Sequence, residues 1–554
     1  MALPVHITIL GGLGDIGRNC AVLESDGRLV LLDCGQLFPD DLTPGVDSIY
    51  PDFAYLDDKL DRLEAAILTH GHEDHIGAVA HLQSRRSFPL FASAFTLGLV
   101  RNRLEEAGLL AATELNEVVD GETRRIGPFD VEFLPVTHSV PSGLISAITT
   151  PQGIILHSSD FKLDLTPLDG RVTDLARIGT LATEPGIRLL LCDSTNADQP
   201  GRTASETEVG PVLESVFRAH RGRRIITACF ASHVHRVAQI SAIAVAEGRR
   251  VATLGLSMKR NVALARDLGM LKIPDTSIVD VEEVERFEPG EVCVISTGSQ
   301  AEDRSALALA AKGESRWIQI GADDTVILSS TAIPGNEAAV GRMMNNLVER
   351  GARVEHAGVL GLHTSGHGKA DELRTLHATA RPEWFVPVHG EHRHLIAHLE
   401  LAESIGMSGD RTLLARDGDR IVIDDDGIRI DHGVTSGRHL YRHAQFVSYE
   451  HRPIGDRIVL GNGGLVSVVV VVDPDRLELA AEPEVTSRGW LADGDTAELH
   501  DELVEEVAGA VVAAFDDGID DRPELERRVR RATGQFVNQR TRRRPMILTS
   551  VVEV

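Results

Sequence analysis

Cysteine is scarce: five residues in 554, at Cys20, Cys34, Cys192, Cys229 and Cys293. They are scattered, odd in number and form no Cys-x-x-Cys pair, and most sit in apolar strings such as LLDCG, LLLCDS and VCVIS. They read as small buried hydrophobes, which argues against a disulfide framework and against a thiolate zinc site. Long apolar runs are lacking too. The longest, LVSVVVVV from Leu465 to Val472, has the length and β-branching of a buried strand and falls far short of the ~20 residues of a membrane helix. The start, MALPVHITILGG, has no basic segment leading into an apolar stretch and does not read as a secretory signal. A cytoplasmic location without membrane association is expected. Positive charge is in deficit, with 56 Lys and Arg against 83 Asp and Glu, a net charge of −27. Phosphate binding is largely electrostatic, so charge alone favours a ligand other than nucleic acid. Basic clusters at Arg85-Arg86, Arg221 to Arg224, Arg527 to Arg531 and Arg540 to Arg544 still leave room for a basic channel in an acidic body.

What is present is a globular composition, 42% hydrophobic and 25% charged, over a length that suits two or three domains. In the first half, HITIL, LVLLD, AAILTH, VEFLPV, GIILHSSD and LLLCDS read as strands between helical patterns. Several close on a polar residue before a turn: Asp33, His70, His138, Asp160 and Asp193. Side chains at strand ends gather along one edge of a sheet, where ligands collect. Between about 206 and 354 the alternation is more regular, with RIITACFA, RVATLGL, VCVISTGS and DTVILSS around helices such as EVGPVLESVFRAH, the pattern of a doubly wound α/β unit. Residues 355–424 return to the style of 1–205, so one domain is interrupted by another. DDDGIRIDHGVTSGRH reads as the start of a linker, set at 425–462, before a small α+β unit at 463–554 with a strong strand, an acidic helix, a basic helix and a closing strand.

The string LTHGHEDHIGA holds His70, His72, Asp74 and His75, four potential ligands in six residues. They cannot all face one way on a helix or a strand. On a tight loop after a strand they can converge on two adjacent cations, and imidazole with carboxylate suits Zn²⁺ with open hydrolytic positions. A polar loop with incidental histidines is the bland alternative, and the density of the motif weighs against it. His138 in FLPVTHSVP, Asp160 in LHSSDFK and His389 in PVHGEH complete a two-metal set. His70, His72 and His138 fall on one ion and Asp74, His75 and His389 on the other, with Asp160 bridging. Asp33 reads as a residue that orients the histidine loop, a purely structural role being nearly as well supported.

At these residues the chain resembles the metallo-β-lactamase superfamily, whose H-x-H-x-D-H motif HGHEDH matches. Asp193 in LLLCDSTNADQPG, His367 in HTSGHGK and His389 in PVHGEHR look like the three added motifs of the β-CASP nucleic-acid-processing branch. The insertion 206–354 sits where that branch carries its β-CASP domain. Along nearly its whole length the chain is similar to the bacterial ribonuclease J family: GGLGDIGRN, LTHGHEDHIGA, DFKLDLTPLDG, DSTNADQPGRTASE, PGNE, HTSGHG, PVHGEHRH and TRRRPMILTSVVEV stand in the family's order. The resemblance implies an α/β fold in which an αββα sandwich is interrupted by the β-CASP domain, with two Zn²⁺ per subunit. It implies 5′-to-3′ exonuclease activity on 5′-monophosphorylated RNA, together with endonuclease cleavage, in mRNA decay and rRNA maturation. It also implies a homodimer or homotetramer assembled with help from the terminal unit, and RNA-decay partner proteins. The sequence departs from the family at several points. SSDF for TGDF puts Ser159 where glycine is usual, ASHVHR for ASNIHR puts His233 where asparagine is usual, and GSQAED replaces GSQGEP at Ala301 to Asp303. HRPIGDRIV lacks the acidic residue before its glycine, so the family's structural calcium site does not carry over.

Within this reading, metal-held water activated near neutral pH attacks phosphorus, with Asp74 counted as catalytic as well as a ligand. His367 is the candidate general acid, a role suited to a histidine near its unperturbed pKa; its alternative is a loop-stabilising hydrogen bond. Ser232, His233, His235, His363, Thr364, Ser365 and Gly366 are candidate contacts to RNA phosphates, and a structural hydrogen bond explains each of them singly as well. His233 would carry charge below about pH 6.5. Two other hydrolase readings stand beside this one. A small-molecule ester or thioester hydrolase on the same zinc scaffold suits the acidic charge but leaves the insertion and His367 unexplained. A DNA-processing β-CASP nuclease is set apart by resemblance alone. A non-catalytic assembly subunit would be expected to have lost metal ligands, and none is missing.

Overall fold

The computed structural model describes residues 2–39, 43–333, 335–434, 436–442, 445–448, 452–491 and 496–554. It divides into two units, Met1–Phe38 with Ser48–His439, and Pro39–Asp47 with Leu440–Val554.

In the first unit the opening strands Val5–Gly11, Cys20–Ser25 and Arg28–Leu32 form an antiparallel meander. Leu63–Ile67, Leu90–Ala92 and Leu115–Glu117 add to it in parallel, and Arg420–Asp424 and Gly427–Asp431 close the other edge of an eight-stranded sheet. A second sheet of six strands is built from Thr123–Ile126, Phe129–Pro135, Leu144–Thr150, Gly153–His157, Ile187–Asp193 and Trp384–Val388. The central strands are apolar on both faces because both faces are covered. Ile7, Leu23, Val30, Leu32 and Ile67 pack with Val131, Phe133, Ile148, Ile155 and Leu191 between the sheets. Val22, Leu29 and Leu31 point the other way, into a core shared with Leu82, Phe95 and Leu104 of the helices Val79–Arg85 and Ala94–Glu106. The outer face of the second sheet packs Leu134, Leu156 and Leu190 against Ile178, Leu376 and Leu401 of the helices Leu175–Thr183, Ala370–Ala380 and His392–Ser404. The result is an αββα sandwich.

Ile187–Asp193 and Trp384–Val388 lie side by side in parallel register, although a whole α/β layer separates them in sequence. That layer is a five-stranded parallel sheet in the order Arg250–Leu254, Val292–Ser296, Arg224–Ala228, Asp324–Leu328, Arg353–His356. Its strands alternate between two cores: Ile225, Ile295 and Ile327 face one, Ile226, Val294 and Val326 the other. The first strand of the insertion sits in the middle with neighbours added on either side, so the loop after it opens at the point where ligands of such sheets bind. Ser232 and His233 lie on that loop.

The segment expected as a linker from 425 begins instead inside a hairpin. Gly427–Asp431 pairs with Arg420–Asp424, with Asp424 opposite Gly427, and the Asp426 N–H donates to Asp424 Oδ1 at 3.0 Å. DDDG is a tight turn whose acidic composition imitates a linker. Helix Arg452–Gly463 also falls within the expected linker. In the second unit, Leu465–Asp473 is the central strand of three, antiparallel to Glu478–Arg488 and parallel to Met546–Glu553. Only one face of this apolar run is fully buried: Val466, Val468, Val470 and Val472 pack with Leu503, Val507, Val529 and Val537 of the helices Thr496–Asp516 and Arg522–Thr541. Within this unit the acidic and basic helices pair with each other through Arg540 with Glu502 and Arg528 with Asp517.

Candidate metal centre

The loop after Leu63–Ile67 runs through His70 to the short helix Glu73–Ile76. Its backbone is pinned by neighbours: Asn19 N–H donates to Asp74 O at 2.9 Å, Cys34 N–H to His75 O at 2.8 Å and Gln36 N–H to Glu73 O at 3.0 Å. Gly35 allows this approach, since a Cβ there would lie 1.6 Å from Asp74 O. Asp33 fixes the loop from below. Its Oδ1 accepts from Thr69 N–H at 2.8 Å, and its Oδ2 accepts from Thr69 Oγ1 at 2.9 Å and from His75 Nδ1 at 2.7 Å.

Three groups of donors converge, the third being Asp160, Asp193, His367 and His389. In the first, His72 Nδ1 lies 3.1 Å from both His70 Nε2 and His138 Nε2. In the second, Asp74 Oδ2 lies 3.2 Å from His389 Nε2 and 3.6 Å from His75 Nε2. Asp160 Oδ2 belongs to both of these, at 3.5 Å from His70, 3.3 Å from His75, 3.6 Å from His389 and 3.8 Å from His138. Ligands about 2.0–2.2 Å from a tetrahedral zinc stand a little over 3 Å from one another, so the first two groups fit a cation. In three of the rings the far nitrogen is committed elsewhere: His75 Nδ1 to Asp33, His138 Nδ1 to Gly366 O at 2.8 Å, and His389 Nδ1 to Thr195 Oγ1 at 2.7 Å. Such partners set the tautomer that leaves the other nitrogen for a metal. Gly366 again serves a close approach, because a Cβ there would lie 2.6 Å from His138 Cε1. Asp33, Ser159 and His389 hold φ of +59, +57 and +54°, strain of the kind that collects at functional sites.

The electrostatics suit a cation. Burial alone would raise the Asp160 pKa, but His389, His75 and His70 hold it well below the carboxylate range. Burial works against charge on His75 and His389, yet the facing carboxylates, Asp160 foremost, raise both well above the usual imidazole value. His72 carries less compensation, and burial lowers it to about 4.

His367 lies beside this pocket, stacked on His389 at 5.3 Å between centroids and edge-on to His138 at 5.0 Å. Its Nδ1 donates to Asp193 Oδ2 at 2.7 Å. Burial opposes protonation, but Asp193 outweighs it and the pKa is raised. Thr195 Oγ1 donates to the other oxygen of Asp193 at 2.7 Å while accepting from His389, so one carboxylate orients both rings.

The remaining candidates separate into two places. Ser365 and Gly366 join the centre, Ser365 Oγ accepting from Asn196 Nδ2 at 3.0 Å and from His367 N–H at 3.1 Å. His235 and Ser365 line a cavity with His138, Ser139, Lys162 and Arg171, while Thr364 Oγ1 donates to Ala204 O at 2.9 Å. Ser232 is half-buried on its loop, and His233 turns inward, with Nε2 3.4 Å from Glu206 Oε1. Burial lowers the His233 pKa despite Glu206, so its charge appears at lower pH than the expected 6.5. His363, pushed by burial to about 3, stays neutral. Sequence reasoning missed Asn19, whose Nδ2 donates to Asp74 O at 3.1 Å, and Thr195. It also missed Arg236, whose guanidinium joins Glu206 at 2.5 Å and Leu362 O at 2.6 Å across the two ends of the insertion. Only Asn19 left a trace, in the glycine-rich string GGLGDIGRN.

Fold and centre together define a metal-dependent hydrolase of the metallo-β-lactamase type, and the model of the metallo-beta-lactamase superfamily matches residues 13–183. Models described as ribonuclease J, beta-CASP domain, as Zn-dependent metallo-hydrolase RNA specificity domain and as ribonuclease J C-terminal domain match 222–347, 353–410 and 453–554. Among curated proteins, ribonuclease J of Mycolicibacterium smegmatis is 41% identical over 99% of this chain and 97% of its own. Ribonuclease J of Corynebacterium glutamicum is 39% identical over 99% of this chain and 76% of its own. The chain belongs to the ribonuclease J family. A solved protein of unknown function from Enterococcus faecalis V583, 14% identical, covers 76% of this chain and 100% of its own with a TM-score of 0.51, a likeness of fold.

Proposed function

We propose that this protein is a two-zinc ribonuclease that degrades RNA from a 5′-monophosphorylated end and also cleaves internally. The observation that carries the proposal is the convergence of His70, His72 and His138, and of Asp74, His75 and His389, on the one shared carboxylate of Asp160. Two zinc ions held there would supply activated water at neutral pH and neutralise developing charge on the phosphoryl oxygens. The chain's own groups do the rest. Asp33 and Thr195 set the tautomers of His75 and His389. Asp193 favours the protonated form of His367, which can then give a proton to the departing 3′ oxygen. Ser232 and Ser365, with the main chain at Gly366, are the proposed seat of the terminal phosphate. The domain division is proposed as 1–205 with 355–424, 206–354 and 463–554, and the setting as cytoplasmic mRNA decay and rRNA maturation by a homodimer or homotetramer with RNA-decay partner proteins.

The test follows one labelled RNA bearing a 5′-monophosphate, a triphosphate or a hydroxyl, beside a generic ester. Single nucleotides released first from the monophosphorylated RNA, and only by zinc-loaded enzyme, is the expected result. Ester turnover with every RNA intact overturns the proposal, and equal decay of all three ends removes the 5′ seat.

A further inference from the structure

The turn that delivers Asp160 holds a serine where the backbone calls for glycine. Ser159 has φ +57°, a region in which a Cβ crowds the neighbouring carbonyl and glycine is the ordinary occupant. The turn does not depend on this side chain. Ser158 N–H donates to Leu191 O at 2.9 Å. Ser158 Oγ donates to Ser159 O at 2.6 Å and accepts from Asp193 N–H at 3.0 Å, and Ser159 N–H donates to His157 Nδ1 at 3.3 Å. The hydroxyl of Ser159 is therefore free for another use, and it lies buried 3.4 Å from His70 Nδ1.

His70 turns Nε2 toward His72 and Asp160, so Nδ1 carries the proton and needs an acceptor. The ring is wholly buried and tilted against His75 at 4.1 Å between centroids, out of reach of solvent. Thr69 Oγ1 is the other acceptor, at 3.1 Å, with its own proton given to Asp33. Two hydroxyls thus share one N–H and define the roll of the ring. We propose that Ser159 is a positioning residue for the first metal ion, its hydroxyl bracing His70 while its backbone carries the strain of a side chain in the left-handed region. One turn then supplies the bridging ligand Asp160 and steadies a second ligand of the same ion. This inference rests on the metal-centre reading.

The full-length Ser159→Ala and Ser159→Gly variants test it, with zinc titrated against a chromophoric chelator and thermal unfolding of the metal-free proteins followed alongside. Both variants should bind one of the two zinc ions about 10-fold more weakly, the lower end for a partner that orients a ligand, with the other ion unaffected. The metal-free glycine variant should unfold at a higher temperature than wild type, and the alanine variant should not. Wild-type zinc affinities in Ser159→Ala overturn the positioning role, and a glycine variant no more stable than wild type overturns the strain. Wild-type protein that takes up no zinc overturns the metal centre itself, and the inference with it.

Discussion

Two of the buried polar clusters in the first unit are put together in opposite ways. At the root of the insertion Glu206 meets Arg236 at 2.5 Å, Arg236 spends its remaining donors on Ser329 and Leu362 carbonyls, and His233 leans on the same carboxylate. Opposite charges there answer one another, while both ring nitrogens of His233 are left without a hydrogen-bond partner. At the ends of the sandwich strands, His72 turns Nδ1 on the Nε2 atoms of both His70 and His138 at 3.1 Å, like group on like group, beside the carboxylates of Asp74 and Asp160. Buried polar groups are ordinarily paired, so a cluster of facing lone pairs marks a place for a cation, whereas a closed ion pair marks a joint. Exposure does not tell the two apart. The sign of what faces what does.

The largest effect should come from the centre: His72 and Asp74 changed together to Ala abolish hydrolysis and lower bound zinc while the protein stays folded, read by metal analysis and RNA decay. Full activity in that variant breaks the comparison. His367→Ala should keep both zinc ions and lose roughly 10²–10⁴-fold in rate; loss of metal instead would make His367 a ligand. At the joint, Arg236→Met leaves Glu206 buried without its partner, and denaturant unfolding should show a loss of about 3–5 kcal/mol with zinc affinity unchanged.

Proton counting sharpens the contrast further. In the metal-free protein His75 and His389 have raised pKa values, so their contribution to stability is full below the unfolded value of ~6.5 and fades as pH rises through the folded values. Metal needs both rings neutral, so zinc affinity should instead climb over that same rise. Calorimetry in buffers of different ionisation enthalpy should show protons released on zinc binding near neutral pH; none released would contradict the assignment. The smallest effect on the centre is expected from removing residues after His439, which should lower the subunit number by light scattering and leave zinc content unchanged.

The histidine loop stood out in the sequence because its candidate ligands are dense, and His138, Asp160 and His389 because each follows a strand. Asn19, Thr195 and Arg236 did not, since a lone polar residue acquires meaning only when the fold brings its partner to it. Glu206 was hidden for the same reason: the sequence shows His233 on a ligand-side loop, but not the carboxylate behind it. Composition misled at 425–431, where a hairpin turn of three aspartates and a glycine looked like a linker.

The most direct test of the central claim is anomalous scattering at the zinc edge from crystals of the zinc-loaded protein. The account predicts two peaks about 3.5–4 Å apart, one among His70, His72 and His138, the other among Asp74, His75 and His389, with Asp160 between them. A single peak, or zinc bound away from Asp160, would contradict it.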